Sequence, residues 1–278
     1  MGGRFIKAAG GKGANQAVAA ARAGGDVTFI ARVGDDVFGE RALAGFERDN
    51  INAAYVIKDG DAPTGVALIN VDARGENSIT VASGANTNLS PDDVEAARAV
   101  IESADVVLMQ LETPLETVHA ALSIAADRGI TTILNPAPAQ GLEPDLLRKV
   151  SILTPNESEA EHLTGIAISQ EDEAKAAARA LTEKGVETVV ITLGAKGTLA
   201  CGPERQELVA GFEVPAVDTT AAGDVFNGAL AVAIAEGASM REAIVFANAA
   251  GALSVTRLGA QPSAPRRIEI DVFLRERR

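Results

Sequence analysis

Tryptophan is missing from this chain, tyrosine occurs once, and aromatic residues together make up 3% of it. Its apolar residues, 47% of the total, are mostly Ala, Val, Leu and Ile. That palette suits a parallel sheet covered by helices on both faces. Basic residues are outnumbered 25 to 38, giving a net charge of −13 that argues against nucleic acid or an anionic membrane as partner. Any anionic ligand must be held by local donors. The single cysteine, Cys201, excludes an internal disulfide and fits a reducing compartment; its Leu-Ala-Cys setting reads as core. The two histidines, His119 and His162, lack metal-ligand neighbours and read as structural. No apolar run reaches membrane-spanning length and the N-terminus has no signal-peptide core, so a cytoplasmic protein is expected.

With 278 residues the chain can form one large α/β domain. Short β-branched runs at Val27 to Val33, Asp105 to Gln110, Thr131 to Leu134, Ser151 to Thr154 and Thr188 to Leu193 each precede a helical pattern. Helix starts are marked by Ser90-Pro91-Asp92-Asp93, Ser169-Gln170-Glu171-Asp172 and Ser239-Met240-Arg241-Glu242. Gly129, Gly165, Gly185 and Gly237 read as helix stops. Repeated βα units predict a doubly wound, mostly parallel sheet flanked by helices. One region breaks this rhythm: residues 64–72 and 77–82 alternate around a turn at 73–76, an antiparallel hairpin, and residues 3–9 offer a third strand. These strands predict a small β-sheet lid inserted in a single domain, residues 1–278.

Residues 218–228, Asp-Thr-Thr-Ala-Ala-Gly-Asp-Val-Phe-Asn-Gly, carry the strongest chemical signal. A strand-like run, Phe212 to Val217, stops at tiny residues before a helix from Asp224 to Glu236. Ala221, Ala222 and Gly223 lack bulk, so their N–H groups can close around an anion at the helix N-terminus. Asp224 beside them can accept the proton of an attacking hydroxyl, the pairing that phosphoryl transfer needs. A Gly-Asp pair at a helix start is more often only a cap. Two further constellations turn the balance.

The first is Gly10-Gly11-Lys12-Gly13-Ala14-Asn15, opening a helix over 13–24. It is neither a P-loop nor a dinucleotide fingerprint, but its glycines admit a ligand closely and Lys12 and Asn15 offer donors to hydroxyls. A flexible turn before an Ala-rich helix is the plainer meaning. The second places Glu112, Asn135-Pro136-Ala137-Pro138 and Asn156-Glu157-Ser158-Glu159 at strand C-termini, where open α/β sheets bind ligands. Glu112 suits sugar hydroxyls, and Asn156 with Glu159 share a helical face suited to phosphate and Mg²⁺ waters. Taken singly, each reads equally as a cap or a solvated acid. Thr192 to Gly197 forms a Gly-rich turn after a strand, and 254–263 is rich in turn-formers whose carbonyls lie exposed near the site, or is simply a helix end and loop.

Together, Gly-Gly-Lys-Gly-Ala-Asn, Asn-Pro-Ala-Pro, Asn-Glu-Ser-Glu and Asp-Thr-Thr-Ala-Ala-Gly-Asp resemble, in order from about residue 2 to 265, the ribokinase-like sugar kinases, the phosphofructokinase-B group. Met109 to Pro114, Gly11 to Ala20 and Ser254 to Pro265 resemble the ribose-specific branch. The resemblance implies a ribokinase-like fold and Mg-ATP-dependent transfer of the γ-phosphoryl group to the 5-hydroxyl of D-ribose. It assigns Asp224 as base, with Ala221, Ala222 and Gly223 as anion hole. Gly11, Lys12, Gly13, Asn15 and Glu112 match sugar-binding positions. Asn156, Thr192, Leu193, Gly194, Ala195, Lys196, Gly197, Gly223 and Asn248 match nucleotide positions, and Glu159 matches an acid acting indirectly on Mg²⁺. Asp218, Thr220, Ser254, Arg257, Gly259 and Ser263 match a K⁺ loop. A homodimer through the lid is also expected, because a thin sheet cannot bury its apolar face alone.

Members of the group open with a core strand ending in Asn-x-Asp, whose Asp holds sugar hydroxyls. This sequence opens at the strand before Gly10, so about thirty family residues, including a strand whose neighbours would lose backbone partners, are expected ahead of it. Deoxyribose, fructose or a nucleoside are alternative acceptors, and a non-catalytic sugar- or nucleotide-binding protein is an alternative class.

Overall fold

Several helix starts in this protein are fixed by side chains that occupy first-turn N–H groups. Ser90 pairs reciprocally with Asp93, and Ser239 with Glu242, as the sequence predicts. The third start is displaced by one residue: Gln170 is the cap, and Glu173 rather than Asp172 closes it, accepting from Gln170 N at 2.6 Å and Ser169 N at 3.2 Å. Gly129, Gly165, Gly185 and Gly237 all take positive φ at helix ends.

The computed structural model describes residues 8–71, 77–203 and 205–277. The elements run α1 (Lys12–Ala23), β1 (Thr28–Gly34), α2 (Val37–Arg48), β2 (Asn52–Asp59), β3 (Val66–Val71) and β4 (Asn77–Ala82). Then follow α3 (Pro91–Ala96), α4 (Arg98–Glu102), β5 (Val106–Met109), α5 (Leu115–Asp127), β6 (Thr131–Leu134), α6 (Pro144–Leu147) and β7 (Ile152–Leu153). The remainder comprises α7 (Glu157–Thr164), α8 (Glu171–Glu183), β8 (Thr188–Thr192), β9 (Gly197–Cys201), β10 (Gln206–Ala210), α9 (Ala222–Ala235), α10 (Met240–Ser254) and α11 (Arg267–Arg275).

The larger sheet has the order β10-β9-β8-β7-β6-β5. Strands β5 to β8 are parallel, and β9 and β10 return antiparallel. Successive residues of each strand serve opposite faces. Ile133, Ile152, Val190 and Ala200 pack toward α1, α9, α10 and α11, while Leu134, Leu153, Val189, Ile191 and Leu199 pack toward α5, α7 and α8. The sheet is therefore buried on both sides. Leu134, Leu153 and Ile191 are fully buried, and truncating any one to Ala would cost about 2–5 kcal/mol.

Two smaller sheets stand apart: β1 with β2, parallel, and β3 with β4, antiparallel. The hairpin predicted over 64–72 and 77–82 thus forms; its turn at 73–76 lies outside the described residues. Of the third lid strand expected over 3–9, residues 3–7 also lie outside them, and Ala8 and Ala9 are in no strand.

One expected strand does not form. Residues 212–217 run extended without a ladder: Pro215 has no N–H, and the N–H groups of Val217 and Asp218 both go to Val255 O, at 2.7 and 3.1 Å. The apolar alternation there serves packing, with Phe212 edge-on to Phe273 at a centroid distance of 5.2 Å.

Candidate active site

The connection into α9 bends at Ala221, which sits at φ 60°, ψ 13°, a left-handed conformation that costs a residue with a Cβ about 1–2 kcal/mol. Ala222 N–H closes the preceding turn onto Thr219 O at 3.2 Å. The N–H groups of Ala221 and Gly223 make no hydrogen bond among the described residues. The expected three-donor anion hole is thus two free donors and one engaged in shaping the turn. A Cβ on Gly223 would meet nothing within 4 Å, so this helix end faces open space.

Asp224, in the first turn of α9, is 5% exposed. Its Oδ2 accepts from Asn15 Nδ2 at 2.8 Å and its Oδ1 from Gln16 Nε2 at 3.1 Å, both on α1. Burial pushes its carboxyl above the ordinary aspartate range. The Asn15 bond, the Lys12 charge and the Gln16 bond oppose that rise, and the Glu112 charge adds to it. A carboxylate whose proton affinity is raised in this way is a stronger base than a solvated one, and the two amides orient its oxygens.

The α1 N-terminus meets Glu112: Lys12 N donates to Glu112 Oε2 at 2.8 Å, so the acid caps the helix as well as facing the site. Gly11, at φ 93°, caps α1 and places Glu112 Oε2 3.9 Å from where its Cβ would be. Gly13 lies against the Gln110 side chain, 3.2 Å from a Cβ there, so a larger residue would need that side chain to give way by a few tenths of an ångström. Gly11, Lys12, Gly13, Asn15, Glu112 and Asp224 are accordingly gathered at one end of α1.

Asn156 and Glu159 form a closed unit. Asn156 caps α7 by accepting from Glu159 N at 2.8 Å, while Glu159 accepts from Asn156 N and Asn156 Nδ2, both at 2.9 Å. The Asn156 side chain is thus engaged in capping. Glu159 is buried, and that burial pushes its carboxyl up; the Asn156 backbone bond and Lys12 pull it back, and Asp224 adds to the rise. Asn156 also bridges in parallel to Thr192, and Thr192 N donates to Pro155 O at 3.0 Å. The turn Gly194 to Lys196 then leads into β9 through Gly197, whose φ of 107° and backbone contact with Val209 O, 2.1 Å from a Cβ, admit only glycine. Leu193 is buried, Gly194 and Ala195 are exposed, and Lys196 projects to within 4.0 Å of Glu157. Asn248 of α10 accepts from Thr198 Oγ1 at 2.7 Å and donates to Ala210 O at 3.3 Å, tying α10 to the β9–β10 hairpin.

The segments around 218 and 254–263 meet. Asp218 accepts from Thr220 N at 2.9 Å and from Gly259 N at 2.8 Å. Ser254 and Ser263 donate to Gly251 O and Ala260 O, and the Arg257 side chain turns away to Glu269 at 2.5 Å. Any role of Arg257 toward a cation falls to its carbonyl. Among the described residues no cluster of three or more His, Cys, Asp or Glu side chains could hold a metal.

Four residues absent from the predicted set lie behind Asp224: Gln16, Asn135, Thr154 and Asn227, all buried. Asn135 and Asn227 lie within motifs read from the sequence, and Gln16 adjoins one. Thr154 and Gln16 find side-chain partners 73 and 208 residues away, in Asn227 and Asp224, so no local pattern marks these two.

Known proteins share this sequence family and this fold. The profile of the pfkB family carbohydrate kinases matches residues 2–267. A ribokinase of Haemophilus influenzae is 48% identical over 265 residues, 95% of this chain and 87% of the relative. A deoxyribokinase of Salmonella typhi is 41% identical over 261 residues, covering 92% of this chain and 84% of that protein. Among solved structures, Arabidopsis thaliana ribokinase complexed with ribose and ATP superposes with a TM-score of 0.90 at 33% identity, over 96% of this chain and 88% of that one.

Proposed function

This chain belongs to the pfkB family of carbohydrate kinases, and from that premise we propose that it transfers the γ-phosphoryl group of ATP to the 5-hydroxyl of D-ribose. The observation that carries this reading is Asp224, buried at the α9 N-terminus beside the free N–H groups of Ala221 and Gly223. Its carboxylate takes the proton of the attacking hydroxyl as the new O–P bond forms and ADP leaves. The two N–H groups face the oxygens of the transferred group, worth roughly 3 kcal/mol per preorganised donor.

The remaining assignments fit the residues present. Asn15 holds Asp224 through its amide, and its own Oδ1 makes no hydrogen bond among the described residues. Glu112 and Lys12 flank it, and Gly11 and Gly13 allow close approach. Thr192 to Gly197, Asn156 and Asn248 would line the nucleotide. Mg²⁺ would neutralise charge on the ATP phosphates, with Glu159 acting on it through water. Asp218, Thr220, Ser254, Arg257, Gly259 and Ser263, some of them through backbone carbonyls, would hold K⁺, supported by the Gly259 N–H bond to Asp218 that joins the two segments.

We read the whole chain as one α/β unit with an inserted lid, acting in the cytoplasm. It works as a homodimer through the lid, supported by Val66 and Leu68, 39% and 59% exposed on one face of β3. Light scattering at micromolar concentration returns the mass of a dimer if this is correct and of a monomer if not. 2-Deoxyribose is the second acceptor to test, given the 41% identical deoxyribokinase. A coupled ADP-release assay with D-ribose, 2-deoxy-D-ribose and fructose separates the readings. Turnover with ribose at the highest kcat/KM is expected, and no ADP release with any sugar removes the proposal.

A further inference from the structure

Four buried polar side chains stand behind the reacting groups without touching the space in front of them. Gln16 of α1 donates through Nε2 to Asp224 Oδ1 at 3.1 Å and to Asn135 Oδ1 at 3.2 Å. Asn135, just after β6, donates through Nδ2 to Thr154 O at 2.9 Å. Thr154, just after β7, donates its hydroxyl to Asn227 Oδ1 at 2.6 Å. Asn227 returns to the start of α9, donating through Nδ2 to Gly223 O at 2.8 Å. Exposure along this path is 1% for Gln16, Thr154 and Asn227 and 7% for Asn135.

The chain has one sense only. Turning the Gln16 amide over would set its oxygen against Asp224 Oδ1 and Asn135 Oδ1, and turning Asn135 would oppose two carbonyl oxygens and two amide nitrogens. The present arrangement leaves Gln16 Oε1 buried with no hydrogen-bond partner among the described residues. A fold that accepts that cost gains donors aimed at a particular carboxylate. Close helix packing makes it possible: a Cβ on Gly228 of α9 would lie 2.6 Å from Gln16 O, so glycine there lets α1 come near enough for Gln16 to reach Asp224.

We propose that Gln16, Asn135, Thr154 and Asn227 are positioning residues for phosphoryl transfer, a buried relay that holds the Asp224 carboxylate and the Gly223 turn as one unit. The base is gripped at one end of the relay and the backbone of the anion hole at the other, so neither shifts without the other. The proposal rests on the kinase reading above. Gln16 also stabilises ionised Asp224, and the other charged groups facing that carboxylate are Lys12 on α1, Glu112 after β5 and Glu159 on α7; Lys12 favours ionisation, and the two glutamates oppose it.

Gln16→Met keeps the side-chain size and removes both donors. Its kcat is expected to fall about 10- to 100-fold, the effect of a lost hydrogen bond to a charged group, while KM for sugar and ATP changes less than about threefold. The acid limb of its pH profile moves to higher pH, because the ionised carboxylate has lost a donor. The same displacement is read without turnover by ¹³C NMR titration of the Asp224 carboxyl, assigned with Asp224→Asn, so it decides the proposal even if the parent phosphorylates no sugar. Thr154→Val, nearly isosteric, lowers kcat about 3- to 10-fold and leaves that titration in place, since it acts on the turn and not on the carboxylate. An unmoved titration in Gln16→Met, or a kcat within twofold of the parent in both variants, overturns the proposal. Should Gln16→Met fail to fold, parental kcat in Thr154→Val alone overturns it.

Discussion

Two groups of carboxylates, one in the first turns of α7 and α9 and one at the root of the lid, meet opposite surroundings. In those first turns Glu159 and Asp224 are buried, and that burial pushes both above the ordinary carboxylate range. At the lid root Asp36 accepts from Phe38 N, Gly39 N, Thr64 N and Thr64 Oγ1, all between 2.8 and 3.0 Å. Asp59 accepts from Asp61 N, Ala62 N, Asn88 Nδ2 and Arg32, and Arg32 in turn grips Asp93 with two nitrogens. Those donors, led by Gly39 N for Asp36 and by Asn88 for Asp59, lower both carboxyls to about 2. A carboxylate surrounded by fixed donors is a strut, since its lone pairs are already engaged. One that is buried with few donors keeps its appetite for a proton. Chemistry and scaffolding use the same side chain and separate it by donor count.

The contrast is broken most severely by Asp224→Asn. Turnover should fall about 10²- to 10⁴-fold, as for a lost general base, with the thermal midpoint retained. Comparable turnover in that variant would move Asp224 into the strut class. Next comes the cation: initial rates in KCl should exceed those in NaCl at matched ionic strength by about a hundredfold, if an ordered 218–224 turn is needed to aim its N–H groups. Equal rates would leave the contact of Asp218 with Gly259 N as a plain loop tie. At the other region Gly34→Ala should act in reverse, on stability. A Cβ there would lie 2.3 Å from Thr64 N and 2.6 Å from Pro63 C, backbone atoms that cannot swing aside. A loss of about 1–3 kcal/mol in chemical denaturation is expected. The mildest test is acid unfolding. Because the folded pKa of Asp36 lies near 2, below its usual 3.8, its contribution is intact above about pH 4 and is lost as pH falls toward 2. The thermal midpoint of Asp36→Asn should be lower than the parent's at neutral pH and decline less between pH 4 and 2. Parallel curves would mean that Asp36 is no strut.

Much of this division could be read before any coordinates. Helix starts at Ser90 and Ser239, the hairpin over 66–82 and the buried alternation of β6 to β8 follow from local pattern, because caps and strand periods act between near neighbours. The Asp224 turn was legible for the same reason: tiny residues, a carboxylate and a helix start sit side by side. Residues 212–217 misled because alternation reports burial, and here burial comes from helices and not from a sheet partner. Gln16 and Thr154 were invisible because their meaning lies in partners 208 and 73 residues away. Asn156 could be read from sequence both as a candidate nucleotide position and as a cap, and the structure shows its side chain engaged as the cap.

The root of the lid is built where main chains touch. Besides Gly34, a Cβ on Gly39 would lie 2.1 Å from Gly34 O, one on Gly65 2.6 Å from Ser83 O, and one on Gly84 2.2 Å from Pro63 O. Backbone against backbone carries no memory of side chains farther along the hairpin. Its outer strands can therefore change in sequence without disturbing the fold of the pivot beneath them. A library randomised at positions 66–68 and 80–82 should tolerate wide variety, and one randomised at 34, 39, 65 and 84 should return glycine.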